Sequence, residues 1–154
     1  MTFRIETKLK RGDEFVSIEE WCGPISDPHY IEGAVVMSYE GKTLMGENLW
    51  DDVNYMWPYL INGLSEILEG KDWHTWFPDQ PITFSVEHIS PDWLLLHVYA
   101  EDEEYVKKKV PKFEYLSEMV RAGRDFLSRL YRICPAADLP FEHYARLLDQ
   151  LDLS

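Results

Sequence analysis

Two stretches of alternating apolar and polar residues, joined by Ser90-Pro91-Asp92, constrain the fold of this chain most strongly. Side chains of a β-strand point alternately to opposite faces, so the alternation predicts a hairpin in which Ile82–Ile89 pairs with Trp93–Ala100. A register that places Phe84 opposite Val98 separates the two faces best. One face then has Ile82, Phe84, Val86, His88, Leu94, Leu96, Val98 and Ala100, and the other has Thr83, Ser85, Glu87, Trp93, Leu95, His97 and Tyr99.

Further strands are predicted on both sides of this hairpin. Phe3, Ile5, Thr7 and Leu9 alternate with polar residues, and a turn follows at Arg11–Glu14. The other predicted strands are Phe15–Trp21, Ile31–Tyr39, Lys42–Met45 and Tyr105–Val110, with Glu40-Gly41 as a tight turn between the second and third of these.

Three helices are predicted from apolar residues that recur at intervals of three and four. The first begins near Asn54, because Pro58 fits only the first turn, and ends at Gly70. Asp51, Asp52 or Asn54 are candidates to cap its start. The second has apolar residues at helical spacing from Phe113 to Tyr131 and ends at Cys134-Pro135, and Pro140 opens a short third helix. Eight apolar residues form one face of the first helix: Val53, Met56, Trp57, Leu60, Ile61, Leu64, Ile67 and Leu68.

This order of elements predicts an α+β fold. We expect an antiparallel sheet of about five to seven strands, packed against two longer helices and a short C-terminal helix. The length of 154 residues fits a single globular domain over residues 1–154, with residues 136–154 as a peripheral C-terminal helical extension.

The acidic residues are distributed unevenly along the chain. From Gly12 to Val106 there are twenty Asp and Glu residues but only two basic ones, Lys42 and Lys71. The whole chain has a formal charge of −13. Such a field attracts basic partners and repels nucleic-acid backbones and anionic membranes. We therefore expect a basic protein partner, no nucleic acid and no membrane.

Known catalytic and targeting signals are not found in the sequence. There is no GxxxxGK[ST], GxGxxG, HExxH or GxSxG motif, no signal peptide and no apolar segment long enough to span a bilayer. Cys22 and Cys134 are expected to be free thiols of a cytoplasmic protein, with a disulfide as the alternative. The chain is therefore predicted to be a non-enzyme without a cofactor.

Two Asp-x-His triplets provide the alternative, a small metal-dependent hydrolase. They are Asp27-Pro28-His29 and Asp72-Trp73-His74, and carboxylate with imidazole suits several divalent metals. The spacing is common by chance, so polar loop residues are the favoured interpretation and no metal site is assigned.

The non-core face of the central hairpin is the best candidate for a binding surface. Its aromatic residues are covered by the C-terminal helices or are available to a partner. Trp and Tyr often anchor interfaces, and nearby charge accelerates encounter. The candidate partner-binding residues are Trp93, His97, Tyr99, Glu101, Asp102, Glu103 and Glu104.

Several local segments support a family resemblance. Leu49-Trp50, Trp57–Leu60, Phe77–Pro81 and the Ala122-Gly123 and Phe126-Leu127 pairs are similar to segments of uncharacterised bacterial proteins. In size, acidity and order of elements the chain resembles the small acidic immunity proteins of bacterial toxin systems. The resemblance implies a cognate toxin, often a nuclease, whose substrate site an acidic surface occupies. A monomer or homodimer is expected, and a module that oligomerises through the hairpin face is a further alternative.

Overall fold

The structure, a computed structural model, describes residues 2–154 and contains nine strands and four α-helices within that range. The strands are β1 (Phe3–Arg11), β2 (Glu14–Ser17), β3 (Glu32–Tyr39), β4 (Lys42–Met45), β5 (Asp51–Asp52), β6 (Trp73–Trp76), β7 (Thr83–Ser90), β8 (Trp93–Tyr99) and β9 (Glu104–Pro111). The helices are α1 (Val53–Asn62), α2 (Leu64–Leu68), α3 (Lys112–Ile133) and α4 (Phe141–Asp149), and a short 3₁₀ helix spans Glu47–Leu49.

The α+β prediction is confirmed, but the strands form two antiparallel sheets. The first sheet has the order β2-β1-β3-β4, and β5 pairs with β3. The second sheet has the order β6-β7-β8-β9. One cluster of buried apolar side chains includes residues of both sheets and of all four helices.

The N-terminal strands agree with the sequence pattern. Every second residue of β1 from Phe3 to Leu9 is buried, as the alternation predicts. The β3–β4 hairpin turns at Glu40 and Gly41, which both have positive φ angles, 52° and 81°. Such a turn matches the right-handed twist of the strands that it joins. The second strand is shorter than predicted and ends at Ser17.

The central hairpin has the predicted register. Phe84 lies opposite Val98 and Val86 opposite Leu96, and the pairing continues to His88 opposite Leu94 before a bulge. The inward residues of β8 are at most 1% exposed. Burial of one face therefore fixed this register, because a shift by one residue would move the whole set of core-facing side chains to the outer face.

The predicted first helix is divided at Gly63 into α1 and α2. The indole ring of Trp73 lies against Gly63, where an added Cβ would come within 2.2 Å of a ring carbon. This close contact brings β6 against the end of α1. Pro58 lies within α1, beyond its first turn.

Helix α3 closes part of the edge of the first sheet. Strand β2 pairs only with Lys8–Arg11 of β1, so the N-terminal half of β1 has no strand on that side. Glu118 accepts a hydrogen bond from the backbone N–H of Ile5 at 2.8 Å, and Arg121 donates to the carbonyl of the same residue at 3.0 Å. Glu114 accepts from the N–H of Phe3 at 3.1 Å.

The C-terminal helices pack on the side of the first sheet. Helix α3 contacts β1, and α4 contacts α1 and α3. Leu148 of α4 is completely buried and lies beside Gly123. Cys22 is exposed and Cys134 is buried, and neither forms a disulfide. In residues 2–154 no helix has both the length and the apolar character required to cross a membrane.

Candidate protein-binding surface

The outer face of the second sheet is the side opposite the core. Directly opposed residues of antiparallel strands share a face, so the pairing defines its composition row by row. Trp76, Thr83, Tyr99 and Glu104 form one row across the four strands. His74, Ser85, His97 and Lys107 form the next row, and Glu87, Leu95 and Lys109 form a third. Trp93 follows at the far end of β8.

Large side chains on this face remain accessible. Trp76 is 61% exposed and Trp93 is 36% exposed, whereas Leu95, His97 and Tyr99 are half-buried among their neighbours. None of these five belongs to the buried apolar cluster or packs against it. The C-terminal helices contact β1 and α1, and α3 also contacts β9, from which it continues. Trp76 and Trp93 nevertheless stay exposed, so the interpretation that these helices cover the face is wrong.

Aromatic rings and charged groups contact each other across the face. The rings of His97 and Tyr99 lie 4.3 Å apart, and His97 Nε2 lies 3.0 Å from Glu104 Oε2. The ammonium group of Lys109 lies 5.0 Å from the centre of the Trp93 ring. These contacts hold the side chains in defined positions, which lowers the entropy lost when a partner binds.

The acidic turn Glu101–Glu104 lies at one end of this face. All four residues are exposed, and the amide of Ala100 bonds to the carbonyl of Glu103 to close the turn. Burial, together with the nearby carboxylate of Glu103, raises the pKa of the Tyr105 hydroxyl. Only Ala100 separates this turn from Tyr99, so the turn adjoins the row that contains Trp76.

The structure therefore groups all seven residues singled out from the sequence. Trp93, His97 and Tyr99 lie on the outer face, Glu104 bonds to His97, and Glu101–Glu103 form the adjoining turn. Their role in binding stays a prediction.

Sequence reasoning missed four residues of the same face: His74, Trp76, Lys107 and Lys109. It did not predict β6, although Trp73-His74-Thr75-Trp76 is rich in residues that favour strands and is bounded by turn residues. The two lysines follow the acidic stretch Gly12–Val106 in the sequence, in the part of the chain that contains most of its basic residues. Pairing of β9 with β8 places them beside His97 and Leu95, so the face is mixed in charge.

Other basic residues from the two ends of the chain also lie beside the acidic segment. Lys8 bonds to Glu47 at 2.8 Å, and Arg129 lies 3.9 Å from Glu19. In the folded chain these ion pairs thus partly compensate the uneven distribution of charge along the sequence. It persists around Asp51 and Asp52, where burial and neighbouring carboxylates raise both pKa values, that of Asp52 to about 6.

Neither aspartate caps α1 with its side chain. Asp52 occupies the N-cap position without such a bond, and Asp51 instead accepts the amides of Asp52 and Asp79. Asn54 accepts the N–H of Ile31 and donates to the carbonyl of His29 in one loop. It also donates to the carbonyl of Asp138, so it joins this loop to the one that precedes α4. These polar groups therefore stabilise tertiary contacts between loops.

The Asp-x-His triplets do not form compact ligand sets. Asp27 accepts the backbone N–H of His29. Asp72 accepts the N–H of His88 at 2.7 Å, whereas His74 lies on the outer face with its ring against Trp76. Across residues 2–154 no group of three or more His, Cys, Asp or Glu side chains is arranged to hold a metal ion.

Comparisons with protein-family models, with curated proteins and with solved structures give no match to this chain. The resemblance to immunity proteins therefore remains a hypothesis that rests on the sequence, and the geometry of the outer face is the basis for a proposed function.

Proposed function

We propose that this chain is a binding protein whose outer face receives a basic protein partner. The observation that supports this proposal is an outer face with exposed Trp76 and Trp93 and half-buried Tyr99, which adjoins the exposed turn Glu101–Glu104. Aromatic residues contribute most of the binding free energy at many interfaces, whereas surrounding charges mainly set the association rate and the choice of partner.

The distribution of charge also orients the partner. Acidic groups lie at the end of the face near Tyr99, and Lys107 and Lys109 lie farther along the same edge strand. A partner therefore places its basic residues at the acidic end. Within this class, the specific function that we propose is that of a cytoplasmic immunity protein, which blocks a cognate toxin by covering its substrate site.

The proposal is tested by capturing a partner with the full chain and measuring association rates against salt. The variant Glu101→Gln with Asp102→Asn removes two charges from the acidic turn. Because electrostatic steering can raise association rates by about tenfold or more, we expect slower association and a weaker dependence on salt.

A matched control is available in the β1–β2 turn. Asp13→Asn with Glu14→Gln removes the same charge from two exposed residues of another hairpin. Equal slowing by both variants would show that only net charge matters and would contradict the proposed location. A toxin domain encoded beside this chain, captured by it and inhibited by it, would support the immunity function, and an uninhibited partner would contradict it.

A further inference from the structure

The edge of strand β6 has free backbone groups that point away from the second sheet. The amide of Phe77 bonds to the carbonyl of Ile82, and the β6–β7 register continues from there with Trp76 opposite Thr83. In an antiparallel pair, bonded and non-bonded pairs alternate. Trp73 and Thr75 therefore face β7, whereas the N–H and C=O groups of His74 and Trp76 face outward. Within residues 2–154, β6 pairs with β7 alone, and these outward groups accept or donate no other hydrogen bond.

The two edges of this sheet differ in how well they are protected against the addition of another strand. The β9 edge has three consecutive lysines, Lys107–Lys109, a common means by which proteins prevent strand addition. The β6 edge has no charged residue, and its exposed residues are His74 and Trp76. Trp76, with its ring at 5.2 Å from that of His74, offers apolar contact area next to the free backbone.

The charge around β6 favours binding of a basic segment over binding of a second copy of this chain. The stretch 64–80 has four acidic residues, Glu66, Glu69, Asp72 and Asp79, and one basic residue, Lys71. A second copy of the chain would bring another formal charge of −13 to this edge, which opposes self-association. An extended segment with basic side chains meets no such opposition.

We propose that β6 is a site of β-strand addition for an extended basic segment of the protein partner. The segment pairs with the outward groups of His74 and Trp76, so that backbone hydrogen bonds provide affinity and the acidic surroundings favour basic side chains. This inference rests on the proposed function and extends the outer face by one strand.

A proline substitution separates backbone pairing from side-chain contact. His74→Pro removes the outward N–H, and proline is tolerated at an edge strand where that group faces solvent. His74→Ala removes the same imidazole but keeps the N–H, so it is the matched control. Circular dichroism and thermal unfolding establish that both variants are folded before binding is measured.

The probe is an acetylated and amidated Lys-Val-Lys-Val-Lys-Val peptide, titrated to about 5 mM because net hydrogen-bond contributions are small. Backbone NMR of the full chain reports the shift and the exchange protection of the Trp76 amide. We expect binding to the wild type and to His74→Ala, and a dissociation constant at least about tenfold larger for His74→Pro. The Glu-Val peptide of the same length should not bind.

Three results would overturn the inference: no change at the Trp76 amide, equal binding by both variants, or equal binding of the acidic peptide. Sedimentation in the absence of peptide that shows a dimer abolished by His74→Pro would assign the edge to a second copy instead. Failure of the proposed function is distinguishable from failure of this inference. The proposed function is tested by the association rate of the variant Glu101→Gln with Asp102→Asn, and the peptide titration does not depend on that result.

Discussion

The N-terminal half of β1 and strand β6 both lie at the edge of a sheet. Only at the β1 edge do side chains of another element bond to the backbone groups that point away from the sheet. Glu118 and Arg121 of α3 satisfy the outward-facing N–H and C=O of Ile5. The outward groups of His74 and Trp76 are left to solvent. The contrast shows that this protein covers one edge with helix side chains and keeps another accessible, together with the aromatic face beside it.

The largest effect is expected at the closed edge. Glu118→Ala removes a carboxylate that is 8% exposed and leaves both Arg121 and the N–H of Ile5 without it. The side chain of Arg121 is 51% exposed and can be solvated, so the cost comes mainly from the Ile5 N–H left without an acceptor, about 2–3 kcal/mol. Chemical denaturation should show this decrease in the free energy of unfolding.

Glu114→Ala is the matched control, because Glu114 makes one hydrogen bond to β1 from a less buried position. A loss of about 1 kcal/mol is expected for it. Equal small losses in both variants would show that α3 does not close the edge by these side chains.

The carboxylate of Glu118 also makes the free energy of unfolding depend on pH. Burial acts to raise the pKa of Glu118, but the bonds from Arg121 and the Ile5 amide outweigh it, so the folded-state pKa lies below its ordinary value. Its contribution is therefore complete above the unfolded pKa and is lost as pH falls through the folded pKa. The wild type should lose more stability on acidification than Glu118→Ala.

A pair of tryptophan substitutions compares the closed and open regions directly. Trp57 is completely buried and donates its indole N–H to Thr7 at 2.9 Å, whereas Trp76 is 61% exposed. Trp57→Phe should reduce the free energy of unfolding by about 2 kcal/mol through lost packing and an unpaired hydroxyl. Trp76→Phe should change it by less than about 0.5 kcal/mol. A large loss for Trp76→Phe in urea denaturation would mean that the outer face is needed for folding.

At Asp52 a substitution is expected to stabilise the protein by a small amount. Burial and the carboxylates of Asp51 and Asp79 raise the pKa of Asp52 to about 6. The folded state therefore favours the protonated form, so stability falls as pH rises from the ordinary value of 3.8 through the folded one. After allowance for solvent screening, Asp52→Asn should add about 1 kcal/mol at pH 7.

This gain should disappear near pH 4, where the wild-type carboxyl is also protonated in the folded state. The control is Asp13→Asn, which makes the same change of charge in an exposed turn. Thermal unfolding at the two pH values distinguishes the local repulsion from an effect of net charge, which would stabilise both variants alike.

Patterns that depend on neighbouring residues predicted much of this fold. The central hairpin has the predicted register because its apolar residues alternate over two long strands. Helix α3 was predicted from its apolar spacing, and the β3–β4 turn from Glu40-Gly41. The helix break at Gly63 was missed, because its cause is Trp73 of another strand. Strand β6 was missed because four residues give a weak alternation signal.

The candidate surface was likewise predicted where it depends on local pattern and missed where it depends on distant segments. The sequence identified Trp93, His97 and Tyr99 as one face because strand periodicity alone assigns them to it. It did not identify Trp76 or Lys107 as their neighbours, since strand order follows from packing between distant segments.

The sequence by itself determined the class of fold, the pairing of the central hairpin and which side chains face the core, because these depend on local periodicity. Only the tertiary structure decided that the strands divide into two sheets and that α3 closes the edge of β1. It also decided that the outer face stays open and that lysines lie beside its acidic end. Those properties depend on which distant surfaces bury each other, and that choice is driven by the apolar area that the whole chain removes from water, which local periodicity does not record.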